Sequence, residues 1–341
     1  MGSGHVAQPP PPDARYPPLG DPWSGRAFGL SLAGTLALES VVSAAAARTP
    51  PDTWLEQAPR AVVDRRWREA RPRTLLERRL GDGRVGLSVQ CDDDVGFRVW
   101  APRHGCYLVA PDGRRVVGAP PAGPAWRWER LVLAQVLPLA AVLRGKDVFH
   151  ASAVALAGRA VAFLGRSGAG KTTLASRIVA RGAQLVTDDV LAIEVAGATV
   201  RVHRGGAVAR IDPRELRTLP PRERRILGPV RVRGEEKCHL TPALAAARLP
   251  LALTYHLVRP TRGREVRIVR VRPYDPALLL GNAFLSYLTA ADRLRRHFEA
   301  CAAIARSTPL YQVRAGAGAT SADVADAVLR HAERALGERP T

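Results

Sequence analysis

An imidazole at His150, a glycine-rich run at Gly165-Arg166-Ser167-Gly168-Ala169-Gly170-Lys171-Thr172 and two adjacent carboxylates at Asp188 and Asp189 follow one another along this chain. The middle run fits the pattern G-x-x-x-x-G-K-[ST]. In such a loop the glycines let successive backbone N–H groups turn inward around an anion. The lysine then reaches the β- and γ-phosphates of a nucleotide, and the hydroxyl after it ligates Mg²⁺. Those roles fall to Lys171 and Thr172, with Thr173 completing the first turn beyond the loop. Only three of the 51 basic side chains are lysine (Lys146, Lys171 and Lys237), and one of them occupies the position the loop requires.

Paired acids beside a phosphate site suit two tasks. One carboxylate holds Mg²⁺, directly or through water, and the other accepts the proton of an attacking hydroxyl. The spacing leaves open which of Asp188 and Asp189 takes which task. The plainer reading is a solvated turn after a strand, which aspartate favours in any case. His150 enters through register. The runs His150–Leu156 and Arg159–Leu164 read as a hairpin across Ala157-Gly158, with paired positions summing to 315. That register sets His150 opposite Gly165, the first residue of the loop. There it would polarise a phosphate or orient Asp189.

These groups need elements to hold them. Ala160–Leu164 reads as a buried strand, and Thr172–Ala180 as a helix with Leu174 and Ile178 on one face. The helix points its positive end at the loop. Gln184–Thr187 is a strand that delivers the acidic pair. Val190–Val195 and Thr199–His203 form a hairpin across Ala196-Gly197. Residues 213–249 read as loop-dominated, Leu251–Leu257 and Val266–Val271 as a further antiparallel pair. Leu310–Val313 reads as a strand, and Ser321–Leu336 as a closing helix capped by Thr320 or Ser321. Upstream, alternating runs between Val85 and Val117 imply a small antiparallel β module. The fold class is therefore α/β, a phosphate-loop domain with a mixed sheet preceded by a β-rich region. The expected organisation is a disordered Pro-rich tail over 1–24, the β-rich region over 25–124, and the phosphate-loop domain over 125–341.

The stretch from His150-Ala-Ser-Ala-Val through the loop to Arg181-Gly-Ala-Gln-Leu-Val-Thr-Asp-Asp189 resembles the HPr kinase/phosphorylase family. It is most similar to the HPr-kinase-like proteins of peptide natural-product pathways, lasso-peptide kinases among them. The resemblance spans about residues 145–315. It implies a kinase of the phosphoenolpyruvate-carboxykinase-like fold that uses ATP and Mg²⁺. Gly165, Gly168, Gly170, Lys171 and Thr172 would bind phosphate, and His150, Asp188 and Asp189 would be catalytic, with Asp189 implied as the base and Asp188, beside Thr172, on the metal side. The implied acceptor is a hydroxyl, either Ser/Thr of a peptide or a small metabolite, and family members can be homo-oligomers. The arginine-glycine signature of true HPr kinases after the acidic pair is missing, which removes HPr itself as the expected substrate. Arg210 and Lys237 are further candidates for clamping a phosphate or an acidic substrate. The alternative function is an ATPase or nucleotide switch with no phosphoryl acceptor. Against it stands the short spacing from Lys171 to the acids.

Composition narrows the partners. The net charge of +20 attracts anions. Its arginines are scattered, however, and only 5% of residues are aromatic, so a specific nucleic-acid partner is not expected. The longest apolar run, Leu131–Leu143, is too short to span a bilayer and contains Pro138. The four cysteines form no C-x-x-C pair, and a cytoplasmic, membrane-free protein is expected.

Overall fold

The computed structural model describes residues 23–44, 50–233, 237–258, 262–272 and 276–337. The chain divides into two units, Met1–Gly145 and Lys146–Thr341. This boundary lies later than the expected 124/125. The helical stretch after Pro124 bonds back to its own unit: the Glu129 carboxylate accepts from the backbone N–H groups of Glu39 and Ser40. The Pro-rich segment expected as a tail falls mostly outside the described residues. Its last two positions, Trp23 and Ser24, instead pair with Gly34 and Ala33 in a strand.

The first unit is built on a nine-stranded sheet. Its strands are β1 (Trp23–Ala27), β2 (Leu30–Gly34), β3 (Val42–Ser43), β4 (Thr53–Gln57), β5 (Arg73–Arg79), β6 (Val85–Asp92), β7 (Gly96–Ala101), β8 (Gly105–Val109) and β9 (Arg115–Ala119). The order is β3-β1-β2-β4-β9-β8-β7-β6-β5. The antiparallel run β6 to β9 is the β module legible in the alternating sequence. Helix α1 (Arg60–Arg66) covers part of one face through Val62 and Val63. Helices α2 (Ala125–Leu131) and α3 (Leu137–Leu143), joined by the π-helical turn Val132–Val136, close the unit.

The second unit carries the motifs. It opens with β10 (Asp147–His150), β11 (Ser152–Leu156) and β12 (Arg159–Leu164), followed by α4 (Lys171–Ala180), β13 (Gln184–Thr187), β14 (Val190–Ala196) and β15 (Thr199–His203). Next come β16 (Ala209–Ile211), α5 (Pro213–Thr218), α6 (Pro221–Ile226), β17 (Val230–Arg233) and β18 (Cys238–Leu240). The remainder is β19 (Arg248–Leu257), β20 (Val266–Arg270), α7 (Pro276–Leu280), α8 (Ala291–Ser307), β21 (Leu310–Ala315) and α9 (Ser321–Gly337).

The long strand β19 organises this sheet. Its first residues run antiparallel to β15, while its later residues lie parallel to both β12 and β21. Three parallel strands therefore end together at Leu164, Leu257 and Ala315. Parallel strands demand apolar residues on both faces, and Val161, Phe163, Leu253 and Tyr255 on one face and Ala160, Ala162 and Leu164 on the other are all almost fully buried. Helix α4 packs on them through Leu174, Ala175, Ile178 and Val179, each at most 3% exposed. Burial of this kind stabilises by about 1.5–3 kcal/mol for each large side chain.

Two expectations are corrected here. Strand β20 pairs with β21 and not with β19, because β19 already has β12 and β21 as parallel neighbours along its second half. Residues 213–249 are not loop-dominated: they contain α5, α6 and, with β16, a small sheet of order β16-β18-β17. Its apolar residues are few, but Ile211, Leu219, Leu227 and Leu240 all join the core beneath α4.

Candidate active site

Strand β12 ends at Leu164 and α4 begins at Lys171, so residues 165–170 are the whole connection between them. The turn needs its glycines. Gly165 has φ +142°, and a Cβ there would stand 2.7 Å from the Leu257 carbonyl oxygen. Gly170, the residue preceding the helix, is left-handed at φ 91°. Lys171 folds back over the loop and donates to the carbonyl oxygens of Gly165 (2.7 Å) and Arg166 (3.1 Å). Burial lowers the pKa of its ammonium, and the nearby charge of Lys237 pushes in the same direction against Asp189. That interaction also brings Lys237 into the electrostatics of the site. Among the described residues no hydrogen bond or ion pair ties Lys237 to the loop or the acids.

The hairpin register holds from Ser152↔Phe163 to Leu156↔Arg159, every pair summing to 315. It does not extend to His150. Ala151 interrupts the strand, and β10 pairs with β14 instead, placing His150 opposite Val190. The expected pairing with Gly165 is thus corrected. The physical reason is that β10 completes the edge beyond β14, where its backbone groups find a full partner strand. This change of partner brings the imidazole to the acidic pair by another route. His150 Nδ1 lies 3.4 Å from Asp189 Oδ1, and the Asp189 carbonyl accepts from the Ala151 N–H. Burial and the Lys171 charge hold His150 below the ordinary histidine value of 6.5.

Asp188 and Asp189 occupy the two-residue connection between β13 and β14. The Asp188 carbonyl oxygen accepts from Ser152 Oγ at 2.5 Å and from Thr172 Oγ1 at 3.4 Å, which fixes the acids against the first turn of α4. Its carboxylate is buried and accepts from the Arg210 backbone N–H at 3.0 Å and from Arg210 Nε at 3.4 Å. Arg210 Nη2 reaches Asp189 Oδ2 at 3.1 Å. Burial drives the Asp188 carboxyl upward, and the guanidinium beside it opposes that shift. Burial also works to lower Arg210, but the two acids overcome it and raise the guanidinium. The sequence candidate Arg210 therefore stands on the acidic pair, positioned by β16.

One member of the constellation carried no sequence signal. Asn282, on the turn after α7, accepts the Gly165 N–H at its Oδ1 (2.9 Å). Its backbone oxygen accepts the His150 N–H (2.8 Å), and its Nδ2 donates to Leu278 O (2.7 Å). A lone asparagine in an undistinguished stretch, over a hundred residues from the loop, offers no spacing to read. The geometry alone identifies it.

Thr172 Oγ1 and the Asp188 carboxylate offer only oxygen donors, close together at the helix start. That set fits Mg²⁺, which keeps most of its waters and takes few protein ligands. Among the described residues no cluster of three or more His, Cys, Asp or Glu side chains forms a metal cage. No helix among them is long and apolar enough to cross a membrane.

No protein-family model matches the chain, and no curated protein sequence matches it. Among solved structures, the HPr(Ser) kinase/phosphatase from Coxiella burnetii aligns over 56% of this chain and 99% of its own, at 11% identity and a TM-score of 0.29. An alignment that loose carries no weight for mechanism. The functional reading rests on the residues of this chain.

Proposed function

We propose that this chain is a nucleotide-dependent phosphotransferase that moves the γ-phosphoryl group of ATP to a hydroxyl acceptor. The observation that carries the reading is the Asp189 carboxylate, set between His150 and Arg210 and next to Asp188, whose carbonyl oxygen accepts from Thr172 Oγ1 in the first turn of α4. In this reading the N–H groups of the loop after Gly165 and of the start of α4 receive the phosphates. Lys171 leaves its two carbonyl partners for the β- and γ-phosphate oxygens. Thr172 and Asp188 would hold Mg²⁺, which when bound supplies charge neutralisation to those oxygens.

Asp189 takes the proton from the acceptor hydroxyl. Its Oδ1 retains lone pairs, because the His150 contact is loose and Arg210 occupies the other oxygen. The hydroxyl oxygen then forms its bond to the γ-phosphorus as the bridging bond to the β-phosphate breaks, and ADP leaves. Neutral His150 orients Asp189. Arg210 keeps the two carboxylates apart and offers its remaining donors to the transferring group.

The motif resemblance favours Ser or Thr of a peptide, such as a natural-product precursor, as the acceptor class. Incubation with Mg²⁺, ATP and hydroxyl-bearing peptides, followed by mass spectrometry, tests the reading. A transferred phosphoryl group that disappears in Lys171→Ala supports it. Phosphate release at the same rate with and without any acceptor favours an ATPase instead.

A further inference from the structure

Helices α5 and α6 together hold five arginines and two glutamates, and the fold sorts these charges. Both acids pair with arginines of α4 or its end: Glu215 accepts from Arg177 at 2.7 Å, and Glu223 lies 4.0 Å from Arg181. Neither acid lines the cavity of about 610 Å³ that the two helices enclose with β17 and β18. Leu216, Cys238 and Leu240, buried or half-buried, make its floor. Arg217, Arg224 and Arg225 are exposed at its mouth.

Those three guanidinium groups have no carboxylate partner among the described residues. Arg224 donates from Nε to the Leu219 carbonyl oxygen (2.8 Å) and from Nη2 to that of Arg217 (2.9 Å). These neutral acceptors hold the side chain in place and leave its charge uncompensated. Arg217 and Arg225 make no side-chain hydrogen bond or ion pair with any described residue. Three like charges around an aliphatic floor match a ligand that is anionic and also has an apolar side chain to bury. No aromatic side chain lines the cavity, so single-stranded nucleic acid would find charge there and no stacking platform. A peptide with Asp or Glu around a leucine-like residue satisfies both halves of the site.

We infer that this cavity docks an acidic segment of the peptide acceptor, apart from the hydroxyl that reacts. Strand β18 gives Cys238 and Leu240 to the floor, and the residue between them, His239, is the register partner of Arg210 on β16. Arg210 is the side chain that stands on the acidic pair. Docking cavity and acids are therefore joined through one small sheet. The inference rests on the phosphotransferase reading for calling the peptide an acceptor. It adds what that peptide must contain: acids beside an apolar residue, outside the phosphorylated position.

Fluorescence anisotropy of the full chain, without nucleotide, tests the cavity alone. The probe is a dye-labelled peptide of two leucines flanked on each side by glutamates. Wild type binds it, and serine in place of the leucines weakens binding several-fold. Arg217→Glu combined with Arg225→Glu, both at exposed positions, weakens it at least about tenfold. Val230→Asp, on β17 at the same cavity, does so independently. No binding by wild type, binding unaltered in both variants, or equal binding of an oligothymidylate of the same length overturns the docking site. The phosphotransferase reading survives each of these results, since none of the altered residues touches the loop or the acids. Steady-state transfer to a Ser peptide with and without the glutamate–leucine segment tests the link to the reaction. The segment lowers KM with kcat unchanged, and the double variant cancels that gain. Equal KM for the two peptides overturns the acceptor assignment. Probe binding with no transfer to any peptide overturns the phosphotransferase reading, and the acceptor assignment with it, while the docking site stands.

Discussion

Asp189 is held from three directions: by the Ala151 N–H on its backbone oxygen, by His150 on one carboxylate oxygen and by Arg210 on the other. If it is the proton acceptor, Asp189→Asn keeps the shape and removes the base, lowering transfer by about 10²–10⁴-fold with little change in nucleotide binding. Comparing kcat with ATP affinity in the variant checks this. His150 gives a second test. Its pKa is depressed, so the folded protein holds it neutral at pH 7, and its ring signals in an NMR titration should show a midpoint below 6.5. The sign for stability follows. As pH falls through 6.5 the unfolded chain takes up a proton that the fold resists, so this residue's contribution is full above 6.5 and is lost on acidification. Lys171, Thr172 and the acids were legible in sequence because their spacing is short and local. Asn282 was not, since its role exists only once the turn after α7 is folded against the loop.

At the scale of elements, the loop is fixed at both ends by contacts that a strand-and-helix reading omits. Gly165 abuts the β19 carbonyl of Leu257, and its N–H is taken by Asn282. Asn282→Ala leaves that buried N–H unpaired, at a cost of about 1–3 kcal/mol. We expect a lower unfolding midpoint and weaker ATP binding, measured by denaturation and by equilibrium titration. Helix α4 is tied to α5 through buried Arg177, which donates to Glu215 and Thr218. Arg177→Met removes these bonds from Glu215, which is 29% exposed and keeps Ser321 Oγ, so chemical denaturation should report a loss of about 1–3 kcal/mol. The hairpins β11–β12 and β14–β15 and the helix α9 were readable from alternation, turn residues and a capping residue at Thr320 or Ser321, and Thr320 Oγ1 does accept the Asp323 N–H. The segment 209–240 was not. Its strands are three or four residues long, too short for a period to emerge among so many arginines.

For the molecule as a whole, the sequence supplied the α/β class and a β-rich region ahead of the mixed α/β unit. It misplaced the division, because the helices α2 and α3 look equally suited to either side until the bonds of Glu129 are known. The net charge of +20 is a property of the entire chain and not of the site. It should draw nucleotide in by long-range attraction, so raising salt from about 0.05 M to about 0.5 M should slow ATP association several-fold in stopped-flow measurements. The claim on which all of this depends is that the loop, the imidazole and the two acids act on one phosphoryl group. The direct measurement uses ATP carrying heavy oxygen in its γ-phosphate, supplied with Mg²⁺ and a set of Ser- and Thr-containing peptides. Mass spectrometry should find the heavy phosphoryl group on a peptide hydroxyl with wild type and not with Asp189→Asn. Equal transfer by Asp189→Asn, or all of the label in free phosphate whatever peptide is present, would contradict it.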